Sequence, residues 1–240
     1  MSGFAVRRAA AGGLGSAPGP RPATRRLLRR LEEPGADFPR IVARAKRQPD
    51  LIPALTAGFV SASAPVRFGS AKTLSLLAAE RPELVYPYFD FFLQQLDGRN
   101  SILRWNAART LACLAPADRE NKLEAALDKY LSPIPGPQMI AAANAIGWAS
   151  TIALAKPRLA NRIARAILGV SHAVYRTDEC RNVAIGHAIL SLSRFYGLIT
   201  DKKAVLRFVR AQLENPRPAT RAKALRFLGK HAGAGGAAQC

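Results

Sequence analysis

The sequence predicts an all-α, right-handed solenoid of about five helical hairpins, and three observations predict it. First, apolar residues recur at helical spacing from Phe38 to His231, with no alternating strand pattern of useful length. Second, the helical segments come in pairs separated by Pro- and Gly-bearing breaks. Third, the second helix of each pair repeats one frame: a basic residue, an apolar one four later, and another three after that. Arg67, Ala71 and Leu74 match Arg104, Ala108 and Leu111; Arg181, Ile185 and Ala188 fit, as do Arg221, Leu225 and Leu228. Met139, Ala143 and Ile146 keep the apolar frame without the cation. The offsets of roughly 35 to 42 residues are the period of stacked helix pairs, which bury together a face that none buries alone.

Taken in order, Phe38 to Arg47 carries Phe38, Ile41, Val42 and Ala45 on one face. Leu51 to Val60 and Val66 to Ala79 follow. Leu84 to Leu96 is dense in aromatics: Tyr86, Tyr88, Phe89, Phe91 and Phe92 are too many for one buried stripe, so some face neighbouring repeats. After the Asp97-Gly98 turn, Asn100 or Ser101 caps the helix through Ala115. Asn121-Lys-Leu-Glu124 reads as a capping box opening a helix to Leu131. Pro133, Pro135, Gly136 and Pro137 break the chain before a small-residue helix from Gln138 to Leu154 that holds Trp148. Pro157 sits in the first turn of a helix to Leu168, Thr177 caps one to about Tyr196, and Thr200-Asp201 starts Lys202 to Leu213. Ala219 to Lys230 is the last helix.

The ends read differently. Residues 1–35 form an expected disordered basic extension: Met1 to Leu31 contains seven arginines and no acid, and its glycines and prolines forbid a continuous helix. It reads as an organelle transit peptide, a basic arm for phosphates, or a dispensable extension, the last being preferred. Residues 36–231 form the solenoid, and residues 232–240 a frayed Gly/Ala tail.

Composition bounds the function. Hydrophobic residues make up 49% of the 240, which supports a core. Lys and Arg number 36 against 16 Asp and Glu, a net charge of +20 that calls for an anionic partner. Cys113, Cys180 and Cys240 form neither a disulfide framework nor a zinc motif, so a reducing, cytoplasmic location fits, or an organelle if residues 1–31 are a transit peptide. No apolar run reaches membrane-spanning length, and no cofactor motif or metal-ligand set appears.

The repeat resembles the HEAT (armadillo-like) family, for Val66-Arg67-x-x-x-Ala71-x-x-Leu74 is close to that family's second-helix pattern. The solenoid segment is also similar to small single-domain prokaryotic HEAT-repeat proteins, on Tyr86-Pro-Tyr-Phe-Asp-Phe-Phe92, Leu103-Arg-Trp-Asn-Ala107, Ile152-Ala-Leu-Ala-Lys-Pro157 and Cys180-Arg-Asn-Val-Ala-Ile-Gly-His187. The resemblance implies second helices lining a concave face. It also implies a range of roles: scaffold, transport adaptor, chromatin factor and, in one branch, alkyl-base DNA glycosylase.

On that face Arg67, Arg104, Arg181 and Arg221 would recur at one height, with Lys72, Trp105, Arg109 and Lys223 nearby. Such a strip holds an acidic protein partner or tracks the phosphates of DNA or RNA; alternatively, each Arg pairs with an acid or carbonyl of the adjacent repeat. Trp105 and Trp148 read as packing residues. His187, seven residues after Cys180, reads as a buried, hydrogen-bonded histidine, while His172 and His231 stand alone. No nucleophile elbow or phosphate loop is present. Asp90 is the acid that a glycosylase would need among aromatics, but it falls on a first helix, facing outward. The expectation is a non-catalytic scaffold, with nucleic-acid binding and then a glycosylase as alternatives and the oligomeric state open.

Overall fold

Short apolar stripes joined by breaks give the chain helices that cannot fold alone, and in the computed structural model, which describes residues 22–231, they stack. Helix α1 (Pro22–Glu32) precedes five repeats. The first repeat is α2 (Phe38–Arg47), α3 (Ile52–Gly58) and α4 (Ala64–Glu80); the second is α5 (Pro82–Val85), α6 (Phe89–Gln95) and α7 (Ser101–Leu114). The third is α8 (Lys122–Ala125), α9 (Leu127–Leu131) and α10 (Met139–Ala155). The fourth is α11 (Ala160–Leu168) and α12 (Asp178–Phe195), and the fifth is α13 (Lys202–Ala211) and α14 (Pro218–His231). No strand occurs among the described residues.

The second helices α4, α7, α10, α12 and α14 pack side by side in one continuous row, while the first helices touch one another much less. One core runs the length of the stack, from Leu27 through Leu74, Leu111, Ile146 and Leu192 to Phe227. Small residues set the close approach: Ala107, Ala108 and Ala112 of α7 and Ala142, Ala145 and Ala149 of α10 are all buried. Phe89 and Phe92 are buried, and Phe59 of the preceding repeat meets Phe91 and Phe92 edge-on at 5.5 and 5.8 Å, so the aromatic segment does face a neighbour.

Four expectations are corrected. The extension does not reach residue 35: Pro22 opens α1, whose Leu27 and Leu31 are buried against α4. Gly69 permits that docking, since a β-carbon there would sit 3.0 Å from Leu31. Leu27 and Leu31 form a four-residue stripe that the surrounding arginines obscured in the sequence. The expected basic extension at residues 1–21 and the tail at 232–240 lie outside the described residues. The second correction is Asn121, which adopts a left-handed φ of 59° and makes no side-chain cap. Asp118 caps that start instead, accepting from the N–H groups of Lys122 and Leu123 at 2.9 and 3.1 Å. Third, the frame slips by one residue in α14: Thr220, Ala224 and Phe227 are buried, while Leu225 is 62% exposed. The long helices expected over 84–96 and 122–131 are each interrupted, the former by the turn containing Pro87. Asn100, Thr177 and Asp201 cap α7, α12 and α13 through their side chains.

Candidate functional site

Ion pairs between successive repeats run in one direction, and sequence reasoning missed them. Among the described residues six ion pairs join one repeat to the next, and in each the acid belongs to the earlier repeat and the base to the later one. Lys122 meets Asp90 at 3.1 Å; Lys129 meets Asp97, Arg158 meets Glu124 and Arg162 meets Asp128, each at 2.6 Å. These four lie on the first-helix side. Asp90, the one acid weighed for catalysis, is exposed and spent on such a rung. Arg217 pairs with Glu179 at the start of the last seam.

The sixth pair is buried. The Asp118 side chain has no exposed surface and Lys156 retains 10%. Lys156 Nζ lies 3.0 Å from Asp118 Oδ2 and donates to the Asp118 carbonyl at 2.6 Å and to Asn121 Oδ1 at 3.1 Å. Tyr86 O–H donates to Asp118 Oδ1 at 2.8 Å. Burial alone would raise the Asp118 pKa; hydrogen bonds from Lys156, Tyr86 and the Leu123 N–H, with the Lys156 charge, outweigh it and hold the carboxyl below its ordinary value. Burial and then this carboxylate push the Tyr86 phenol well up. Three consecutive repeats thus meet at one satisfied polar cluster.

Cations without an ion pair among the described residues stand on both rows: Arg40, Arg44, Arg165, Arg207 and Arg210 on first helices, and Arg67, Lys72, Arg104, Arg109, Arg221 and Lys223 on second helices. Each of the four aligned arginines is the fourth residue of its helix, so they form a row along the loop edge. Arg67 and Arg221 do the same job: Arg67 Nη1 donates to the carbonyls of Ser61 and Ala62, and Arg221 Nη1 to those of Asn215 and Pro216. Each ties down the loop of its own hairpin. Arg104 reaches Gln138 Oε1 of the next repeat at 2.9 Å, and Arg181 pairs with Asp178 on its own helix at 2.6 Å. None of the four makes an ion pair with an acid of another repeat.

Deeper on the face, Lys72 lies over the Phe38 ring at 4.2 Å and Arg109 over the Trp148 ring at 4.8 Å. Both lack an acidic partner among the described residues. Lys223 is half-buried between α12 and α14, its Nζ 3.0 Å from where a Gly186 β-carbon would sit. Burial, then the charges of Arg217 and Arg226, push its pKa down. Burial, then Lys223, does the same to His187. His187 is half-buried without a hydrogen bond, whereas His231 does have a partner: its Nε2 lies 2.9 Å from Ser193 Oγ, beside the rings of Tyr196 and Phe227.

Apolar side chains share this surface. Ile102, Ile140, Leu154, Leu190 and Leu225, all 46% exposed or more, stand on α7, α10, α12 and α14. Along α10, Ile140, Asn144, Gly147 and Leu154 share the solvent side, and the helix carries no charge. Nothing stands within 4 Å of a β-carbon built on Gly147. Trp105 is half-buried, lining with Arg104, Tyr130 and Asn144 a cavity of about 80 Å³ at the seam of the second and third repeats. The Trp105 indole N–H and the Tyr130 hydroxyl there have no partner. The signal for this face was the exposed apolar side of four of the five second helices, hidden because the same helices also carry the core.

No group of His, Cys, Asp and Glu among the described residues could hold a metal ion. Burial raises the Cys113 thiol pKa, with Arg109 opposing, which leaves it a poor nucleophile. No described helix is long and apolar enough to cross a membrane.

No family model matches the chain, and no curated protein matches it. Solved structures do. A designed armadillo repeat protein superposes with a TM-score of 0.55 at 14% identity, covering 86% of this chain and 91% of its own. An engineered protein superposes with a TM-score of 0.52 at 16% identity, covering 86% and 87%. At such identities the likeness is one of fold, and the fold it shows is an all-α solenoid of the armadillo/HEAT-like kind.

Proposed function

We propose that the chain is a non-catalytic binding protein whose second-helix face takes an acidic protein segment bearing apolar side chains. One observation carries this reading: cations without acidic partners and exposed apolar side chains coincide on the second helices, while most of the inter-repeat acids are engaged on the first-helix side. An interface core needs apolar anchors, and complementary charge steers its encounter. The armadillo-like fold commonly serves protein binding. Lys72, Arg109 and Lys223 supply charge near the middle of the face, and Ile140 and Leu190 supply anchors. Arg67, Arg104, Arg181 and Arg221 edge it. The two free thiols of Cys113 and Cys180 suit a reducing compartment such as the cytoplasm.

The test is fluorescence anisotropy with a labelled peptide alternating Glu and Leu, a Lys/Leu control, and a duplex oligonucleotide. The acidic peptide should bind and the basic one should not. Ile140→Ser with Leu190→Ser should weaken peptide binding by about tenfold or more, since each buried apolar side chain contributes roughly 1.5–3 kcal/mol. If those substitutions leave affinity unchanged while Lys72→Glu with Arg109→Glu abolishes duplex binding, the face is a phosphate strip and the protein-binding reading fails.

A further inference from the structure

Helix α1 presents a surface of a different kind. Its inner side is fixed by Leu27 and Leu31, both buried, and its outer side carries Arg25, Arg26, Arg29 and Arg30. Three are exposed and Arg30 is half-buried. None of the four has an acidic partner among the described residues. Spacing at i, i+1, i+4 and i+5 sets them as two parallel pairs about 6 Å apart along the helix axis, from 1.5 Å of rise per residue. Because α1 is docked and not dangling, the guanidinium groups stand on a rigid base.

We infer that the outer face of α1 is a nucleic-acid backbone site, with the four arginines contacting consecutive phosphates. Three features favour this occupant. Arginine forks bind phosphate oxygens two at a time, which a lysine ammonium does not. The exposed side of α1 offers no large, freely exposed apolar anchor, and a protein partner would need one at the centre of its interface. A polyanion of identical repeating charges needs none. The apolar side that could enter a bilayer is spent on the core, so α1 cannot lie in a membrane surface as an amphipathic helix does. The two surfaces then divide the work: the second-helix face, cationic and apolar, holds protein, while the arginine side of α1, where Glu33 lies beside four arginines, keeps a net positive charge and holds phosphates. The contact reads no bases, since nothing beside the arginines is shaped to enter a groove.

The experiment measures binding of the full chain to a labelled mixed-sequence duplex at several salt concentrations. Four phosphate contacts predict a slope of about −3.6 in log K against log salt, and so a loss of roughly 100-fold between 50 and 200 mM. The variant Arg25→Gln/Arg26→Gln/Arg29→Gln/Arg30→Gln should flatten the slope by about three to four units. Lys72→Gln/Arg109→Gln should leave it unchanged. If the fourfold variant loses helix content, Arg25→Gln/Arg29→Gln alone should flatten the slope by about half as much. A duplex slope that survives removal of the arginines overturns the inference. So does binding to phosphatidylserine vesicles without binding to the duplex.

Discussion

Replacing Asp118 by Asn tests what joins the middle repeats. The carboxylate accepts from Tyr86 O–H and the Lys122 N–H on one oxygen, and from the Leu123 N–H and Lys156 on the other. Asparagine has almost the same shape but only one acceptor atom. Its amide N–H₂ must then face one of the two pairs of donors, and in either orientation the Lys156 ammonium, only 10% exposed, loses the carboxylate charge that balances it. Removing one partner of a buried pair costs about 3–5 kcal/mol, because the remaining charge stays buried without compensation. For a chain of this size each kcal/mol moves the melting temperature by about 2–4 °C, so a fall of about 10 °C or more is expected by circular dichroism. In the double variant with Lys156→Met the orphaned charge is gone, and much of the loss should return. Because each repeat contacts only its neighbours, amide exchange should rise first between α7 and α10. A loss below about 1 kcal/mol for Asp118→Asn would refute the reasoning, since that is the size of an exposed pair.

Other consequences are checked by similar means. Asp118 has its folded pKa depressed, so its contribution is complete above the unfolded value of about 3.9 and is lost as pH falls through the folded one. Urea titrations should therefore show the gap between wild type and Asp118→Asn closing as the pH falls below about 4. Asp97→Asn and Asp128→Asn break rungs whose acids are 71% and 84% exposed, and each should cost under about 1 kcal/mol. Gly136→Ala should cost at least about 2 kcal/mol: φ there is +111°, and the new β-carbon would sit 2.1 Å from the Val174 carbonyl oxygen. Gly147→Ala should instead stabilise by up to about 1 kcal/mol, since it removes a mid-helix glycine with open space above it.

The architecture was legible because stacked helices share one requirement: apolar residues at helical spacing, with breaks between them. The frame at Arg67, Arg104 and Arg181 holds in the structure, as do the caps at Asn100 and Thr177. What stayed hidden depends on partners distant in sequence. Asp118 and Lys156 stand 38 residues apart, and nothing local distinguishes Asp118 from a surface acid. Asn121 matched a capping box, yet Asp118 reached that helix start first and left its side chain to Lys156 and Arg158. Leu27 and Leu31 were outvoted by composition: two leucines decide burial, but the arginines around them set the average. In the aligned row, position was predictable and duty was not. Arg67 and Arg221 hold their own loops, while Lys72 and Arg109 cover aromatic rings.

The uniform direction of the rungs, acid first and base one repeat later, makes each internal repeat a directed tile. Between the second and fourth repeats each of these four rungs sets a carboxylate of one repeat against a cation of the next, so the stack reads differently from its two ends. The same directedness would let one molecule's end add to another's beginning and grow a fibre, as open head-to-tail contacts do. The first end of the described solenoid presents α1 and its outward arginines, and the last presents α14 with the exposed Arg226 and Lys230. Like charge at both ends of the described solenoid opposes such a contact.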